Sequence, residues 1–408
     1  MAAASAPPCI LITYPYPIGH RAAGGSRTTR ELAYHLRAAG TDVIVLSVST
    51  NALSRRFPRA AVNPDYLGDE HDAAFEAHGI ELIRVPQNPW LYLWDGKAVR
   101  TEVRRILRRR RVDLVLGHYH EAGYLPDLCR RHGVKFGFFA TWQTYTPLGH
   151  EPRGWRPRLQ KKIRDQTIVD AHRQADINYA ISDFTRRELI DVVGVAPERI
   201  TLCPLGVEPS FLEIPRIRPK AITNLLFFGR ITWMKGFQDA LEALGKLRRR
   251  GVDGWSLRFI GERPDGVVER VASEHGVLDR VTCDGPFADQ QLRQELERAH
   301  VAILPSHAES FGHSIVEAQA SGMPVVSYAA GSVPEVVEDG VTGWLAPLKD
   351  TDRLSELIQQ AMRDPEATFQ AGLAARDRVA RLYSWDRTAA TILEGLRNLQ
   401  SVATSSSG

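Results

Sequence analysis

The chain has 408 residues, 43% hydrophobic and 25% charged, with a formal net charge of +4. That profile fits a globular protein of two domains of roughly 200 residues each, and no run approaches the ~18 apolar residues of a membrane-spanning helix. The charge is uneven: residues 1–204 carry 29 Lys+Arg against 21 Asp+Glu, net +8, whereas 205–408 carry 23 against 27, net −4. The first half is therefore expected to attract anions or an anionic surface.

The opening MAAASAPPCILITYPYP lacks a basic leader region and reads as a loose tail plus a first strand rather than a signal peptide. "CILITY" is followed by the helix-like "SRTTRELAYHLRAAG" and then "DVIVLSV". Further on come "VDLVLGHYH", "VKFGFFAT" and "ADINYAIS". After a proline-rich segment at 204–224, read as the interdomain linker, the plan repeats: "TNLLFFGR", "KGFQDALEALGKLRRRG", "WSLRFIG", "RVTCDG", "AHVAILP" and "MPVVSY". Continuous apolar strands alternating with amphipathic helices imply parallel sheets covered on both faces. The expected fold class is α/β: two doubly wound Rossmann-like domains facing across a cleft. The boundaries are 1–204, 205–383, and a last helix at 384–408 with Ser384 or Asp386 as its N-cap and "SVATSSSG" as a disordered end. Cys9, Cys129, Cys203 and Cys283 are scattered, as fits free thiols in a reducing cytosol. No aromatic-and-basic repeats point to a nucleic-acid partner.

Ligands of such sheets bind at the carboxyl ends of the strands, so the loops there carry the chemistry. Gly24-Gly25 precedes a helix start, which is either a plain turn or a place where backbone N–H groups approach a phosphate. Arg230 and Lys235 flank the loop after the first strand of the second half, either as surface charge or as two cations for one pyrophosphate. Glu309 and Glu317 stand eight positions apart around a helix mouth. In one reading Glu309 accepts hydrogen bonds from sugar hydroxyls, the amides of Ser310, Phe311, Gly312 and His313 cradle a phosphate, and Glu317 takes the two hydroxyls of a ribose. In the other they are a capping acid and a buried paired acid. His118 and His120 are either contacts to donor or acceptor or structural histidines, and His120 is the candidate carried forward. Asp350 to Asp352, a tempting "DTD", reads as a helix N-cap with first-turn acids rather than a metal site.

"GRITWMKG", "HAESFGHSIVEAQASGMPVVSYAAGSVPEVVEDGVTGWL" and the glycine loop, in this order and spacing, resemble glycosyltransferase family 4. The resemblance is dense from about 224 to 348 and thin from 50 to 112. It implies a retaining, nucleotide-sugar-dependent enzyme of GT-B fold, with the final helix crossing back to the first domain. It also implies that Arg230 and Lys235 stabilise the diphosphate leaving group, Glu309 contacts the transferred sugar, Glu317 binds the ribose, and Gly24 and Gly25 let the first domain close onto the phosphates. A fixed donor aimed at developing charge contributes roughly 3–4 kcal/mol to catalysis, so neither a metal nor a cofactor is expected. One departure stands out: where the family commonly carries T-x-H-T after a strand, "ATWQT" places Gln143, which orients a hydroxyl but does not titrate.

The expected donor is a UDP- or GDP-linked sugar, and the expected acceptor a saccharide, lipid-linked or small-molecule hydroxyl compound. The aromatic group Trp90, Tyr92, Trp94 and the basic stretches 104–111 and 151–164 read either as a dock for an anionic membrane or as a packed cluster and solvated helices. The expected setting is bacterial cell-envelope or exopolysaccharide synthesis, in the cytoplasm with peripheral contact to the inner face of the membrane. The alternatives are a soluble secondary-metabolite acceptor and a nucleotide-sugar binder without transfer.

Overall fold

Strands such as CILITY and KFGFFA have no polar face to leave in water, so both sides of the sheet they join must be covered. In the computed structural model of the chain they are. The structure describes residues 6–15, 24–49, 72–86, 95–141, 155–262, 266–285, 287 and 289–405. The chain divides into two compact units, one of Met1–Leu205 with Trp385–Gly408 and the other of Gly206–Ser384.

The first unit holds β1 (Cys9–Tyr14), β2 (Asp42–Ser49), β3 (Glu81–Pro86), β4 (Leu114–Gly117), β5 (Lys135–Ala140), β6 (Ile177–Ala180) and β7 (Ile200–Leu202), in the sheet order β3-β2-β1-β4-β5-β6-β7. All pairs are parallel, with Ile10 of β1 beside Val43 on one side and Leu114 on the other. Every residue of β4 and β6, and five of six in β1 and β5, is buried. Side chains alternate between faces along a strand, so both faces are closed.

The last helix, Trp385–Ser405, belongs to this unit and packs on the helix Gly24–Ala38. Its seat is specific. Tyr179 donates its hydroxyl to the Ile392 carbonyl at 3.1 Å, Thr388 bonds the Pro204 carbonyl at 2.7 Å, and His35 Nδ1 lies 2.7 Å from Asp386 Oδ1. The helix runs to Ser405, so residues 401–405 of the expected disordered end are helical. Polar side chains there do not break a helix already anchored by Ile392 and Leu396.

The second unit holds β8 (Asn224–Phe228), β9 (Ser256–Ile260), β10 (Val281–Asp284), β11 (Val301–Ile303), β12 (Val325–Tyr328) and β13 (Gly343–Ala346), ordered β10-β9-β8-β11-β12-β13 and parallel throughout. In each sheet the first strand runs outward to its second and third, and the chain then crosses to that strand's other side. The order therefore reverses between β1 and β4 and between β8 and β11. At these points neighbouring loops diverge and leave a crevice at the carboxyl edge.

Two differences from the sequence reading have simple causes. The proline-rich segment contains a short helix, Pro209–Leu212, because Pro at the first helical position costs no hydrogen bond and Phe211 is buried. The strands ELIRVP, ITL and GWLA have too little apolar length to announce themselves.

Ile392, fully buried in the seat of the last helix, is the direct probe of that seat. Ile392→Ala is expected to destabilise the first unit by about 2–5 kcal/mol in urea unfolding, against no measurable change for exposed Glu394→Ala. Equal midpoints for the two variants would contradict the packing described.

Candidate active site

Within the second unit the β8 loop and the β11 loop meet at the reversal point, and Lys235 and Glu309 meet with them. Lys235 Nζ lies 2.5 Å from Glu309 Oε1 with both side chains largely withdrawn from solvent, 18% and 6% exposed. Ser306 donates a second bond to the same oxygen at 2.8 Å. Among the described residues both donors go to Oε1, which leaves Oε2 for an incoming hydroxyl. Arg230, on the same loop as Lys235, is exposed and has no acid or hydrogen-bond partner among the described residues. One fixed cation and one free cation thus share a loop at the sheet's carboxyl edge.

The backbone fixes this arrangement. Gly236 sits at φ 70°, and a Cβ there would lie 1.9 Å from the Pro305 carbonyl oxygen, so only glycine lets the two loops touch. The His307 N–H donates to the Met234 carbonyl at 2.8 Å, and the Ser332 N–H to the Glu309 carbonyl at 3.0 Å, so the loop after β12 also holds Glu309. Gly312, at φ 85°, opens the helix His313–Ala320 and no side chain caps it. Gly236 opens Phe237–Arg249 in the same uncapped way. A helix start without a side-chain cap is a place where backbone amides and the helix field together attract an anion.

Ser310, Phe311, Gly312, His313 and Glu317 take distinct places around that helix mouth. Ser310 is buried, and Phe311 is a core aromatic packed edge-on against Tyr383 and His313, so it can offer a ligand only its backbone. Glu317 is a buried residue of the helix, 7% exposed. Arg230, Lys235, Glu309 and the 310–313 segment are therefore brought to one edge of one sheet, with Glu317 about a turn into the helix that starts there.

A network that sequence reasoning missed supports this edge. Asp239 Oδ2 accepts from Tyr328 Oη at 2.8 Å and lies 2.9 Å from His307 Nε2. Burial, with the Asp239 charge, pushes the Tyr328 hydroxyl far above its ordinary range, so it stays a donor. The His307 ring also lies between Trp233 and Tyr328, 6.0 Å from each. One histidine thereby locks the β8 loop, the helix after it and β12 around the Lys235–Glu309 pair. The only sequence signal was a first-turn acid in "KGFQD" and a histidine two residues before the motif acid.

The first unit has its own carboxyl edge. Gly24 and Gly25 begin the helix Gly24–Ala38, whose first turn carries no acid. A Cβ on Gly25 would stand 2.6 Å from Tyr119 Oη and 3.0 Å from Tyr14 Oη. Two phenol hydroxyls occupy the space a side chain would need, a reason for glycine beyond backbone approach. β4 ends at Gly117, and His120 opens a tight turn, His120–Tyr124. His118 and His120 are each 1% exposed. Burial lowers His118 to about 3; burial and then Arg164 lower His120 to about 4, so both rings are neutral near pH 7.

Glu121, fully buried, organises this turn. Its Oε1 accepts from Thr13 Oγ1 at 3.1 Å and from the amides of His118 and Tyr119 at 3.1 and 3.3 Å. Burial pushes its carboxyl up to about 7 despite these bonds. Sequence reading passed over Glu121 because its neighbours His118 and His120 drew the attention.

Gln143 and the aromatic group Trp90, Tyr92, Trp94 lie outside the described residues. Asp350 caps the helix Thr351–Arg363 by accepting from the Arg353 amide at 2.9 Å, and Asp352 pairs with Lys246 at 2.9 Å. Among the described residues no helix is long and apolar enough to cross a membrane.

Comparison with known proteins agrees with this arrangement. Residues 22–211 match the family model described as Glycosyltransferase Family 4, and 217–378 the model described as Glycosyl transferases group 1. The chain is 28% identical over 394 residues to D-inositol 3-phosphate glycosyltransferase of Frankia alni, covering 91% of this chain and 94% of that one. It is 30% identical over 314 residues to MMP alpha-(1->4)-mannosyltransferase of Mycolicibacterium hassiacum, covering 72% and 73%. Its fold is similar to that of Anabaena HepE in complex with UDP-glucose, at a TM-score of 0.73 and 17% identity over 96% and 99% of the two chains.

Two outcomes are expected. His307→Ala, which unlocks the Lys235 loop without touching a charge of the pair, should lower kcat/KM for sugar transfer by about 10–100-fold with a small change in Tm; unchanged kcat/KM would remove His307 from the positioning role. Glu121 has a raised folded pKa, so the stability it contributes is complete below about pH 4.5 and is lost as pH rises through about 7. Glu121→Gln should therefore gain Tm relative to the parent from pH 4.5 to 8. His118 and His120 titrate in both proteins and cancel in the difference. A pH-independent difference would contradict the buried carboxyl.

Proposed function

Because the chain belongs to the family 4 glycosyltransferases, with glycosyl transfer as its chemistry, we propose that it moves a hexosyl group with retention from a UDP- or GDP-linked sugar to an acceptor hydroxyl. The observation that carries this reading is the Lys235–Glu309 contact at the β8–β11 reversal, with exposed Arg230 on the same loop.

Cleavage of the sugar–phosphate bond sends the electron pair to the diphosphate. Lys235 supplies fixed positive charge where that negative charge develops, exposed Arg230 on the same loop adds a second cation free to move onto it, and a preorganised charge largely withdrawn from water is worth far more than in bulk. The backbone amides at Gly312–His313, at a helix start with no side-chain cap, face the same anion as neutral donors. Glu309, held by Lys235 and Ser306, presents Oε2 to a sugar hydroxyl, and Glu317 serves the ribose. The neutral His120 enters as a hydrogen-bonding group near donor or acceptor rather than as a proton acceptor. Gly24 and Gly25, at the start of the helix Gly24–Ala38, give the first unit backbone amides of its own for a phosphate. A relative in fold was solved with UDP-glucose, which supports a nucleotide-sugar donor. No metal or cofactor is required where side-chain cations neutralise the diphosphate.

For the acceptor we propose a bacterial cell-envelope or exopolysaccharide precursor, drawn by the net +8 of the first half. The second reading is a soluble small acceptor, favoured by the inositol phosphate named for the Frankia relative.

The test is a screen of UDP- and GDP-sugars by thermal shift, followed by transfer assays. Lys235→Ala and Glu309→Gln should each lower kcat by about 10²–10³-fold, and EDTA should leave the rate unchanged. Near-parent turnover in either variant would remove that residue from the reaction, and loss of turnover on chelation would return the diphosphate to a metal.

A further inference from the structure

The helix Trp155–Gln174 breaks two rules of helix design at its exposed end. Its first ten residues, WRPRLQKKIR, carry five cations (Arg156, Arg158, Lys161, Lys162, Arg164) and no acid. The positive end of a helix dipole favours acids, so cations there are unfavourable in isolation. The same ten residues also hold three of the ten large hydrophobics exposed among the described residues: Trp155 at 70%, Leu159 at 49% and Ile163 at 38%. Positions 155, 159 and 163 form one stripe along the helix. At about 100° per residue Leu159 points roughly opposite to Ile168, which is 2% exposed and packs into the core with Ala171. The apolar stripe is therefore on the outward face, away from the side that anchors the helix.

We infer that this face docks on an anionic lipid bilayer, with the Trp155–Leu159–Ile163 stripe entering the headgroup boundary and the surrounding cations meeting the anionic headgroups. Each half of the pattern answers a cost left by the other. An anionic surface relieves the repulsion of cations from the helix start, and the apolar stripe leaves water only against something that is itself apolar. Tryptophan belongs at such a boundary because its ring is apolar and its N–H is polar. A nucleic acid would satisfy the charge but leave Leu159 and Ile163 exposed. The only acid along the stripe's edge, Asp165, is already shared by Lys161 and Arg164 at 3.0 Å each, while Lys162 stays exposed with no ion pair among the described residues. The inference is independent of the donor and of the acceptor.

The full chain is sedimented with vesicles of phosphatidylcholine alone and of a two-to-one mixture with phosphatidylglycerol, at low and high salt. Expected is binding to the anionic vesicles only, weakened by salt. Lys161→Glu with Lys162→Glu should lower the partition coefficient by about 10–100-fold, and Leu159→Asn with Ile163→Asn by about tenfold or more, with melting curves and donor hydrolysis as in the parent. The Trp155 contribution to fluorescence, taken as the difference from Trp155→Phe, should shift to the blue on binding. No binding to anionic vesicles at low salt, or binding equal in both variants, overturns the proposal. Binding to a DNA duplex with the same dependence on Leu159 and Ile163 overturns it as well.

Discussion

The contact between Lys235 and Glu309 depends on almost everything else in the second unit. Two loops that are 74 residues apart in sequence must arrive at one point, and they do because the sheet reverses direction between β8 and β11. Taking an ammonium and a carboxylate out of water costs more than their attraction returns unless further hydrogen bonds complete the site. Ser306 supplies one, and a bound donor would supply the rest. The pair is thus poorly explained as a stabilising feature and well explained as a pair of groups held ready.

The first unit applies the same topology to different chemistry. At its β1–β4 reversal the groups are neutral or buried: two phenols closing on the start of a glycine-led helix, two imidazoles kept uncharged by burial, and a carboxyl that organises the turn through backbone amides. Each edge combines a glycine-led helix start with side chains from the neighbouring strand's loop. One edge concentrates charge and the other neutral hydrogen-bonding groups.

How much of this could be read from the sequence follows from the range of each interaction. The inner strands were legible because burial on both faces leaves a continuous apolar run such as CILITY or VKFGFF. Glu309, Gly312 and Glu317 were legible because they lie within nine residues and their spacing is itself the signal. The Asp239–His307–Tyr328 network was not, since its members are 68 and 89 residues from Asp239 and none is unusual in its own neighbourhood. Glu121 escaped for a different reason: its importance lies in total burial, which a lone acid between a histidine and an alanine does not reveal. The exposed stripe of the basic helix was half legible, its cations plain and its outward direction visible only once Ile168 and Ala171 were seen to face the core.

The most direct test is a crystal structure of the chain with an intact nucleotide sugar. The account predicts the diphosphate oxygens within about 3 Å of Lys235 Nζ and of the amides at Gly312–His313, with a sugar hydroxyl on Glu309 Oε2. A donor whose diphosphate lies away from the β8 and β11 loops, leaving the Lys235–Glu309 contact untouched by any ligand atom, would contradict it.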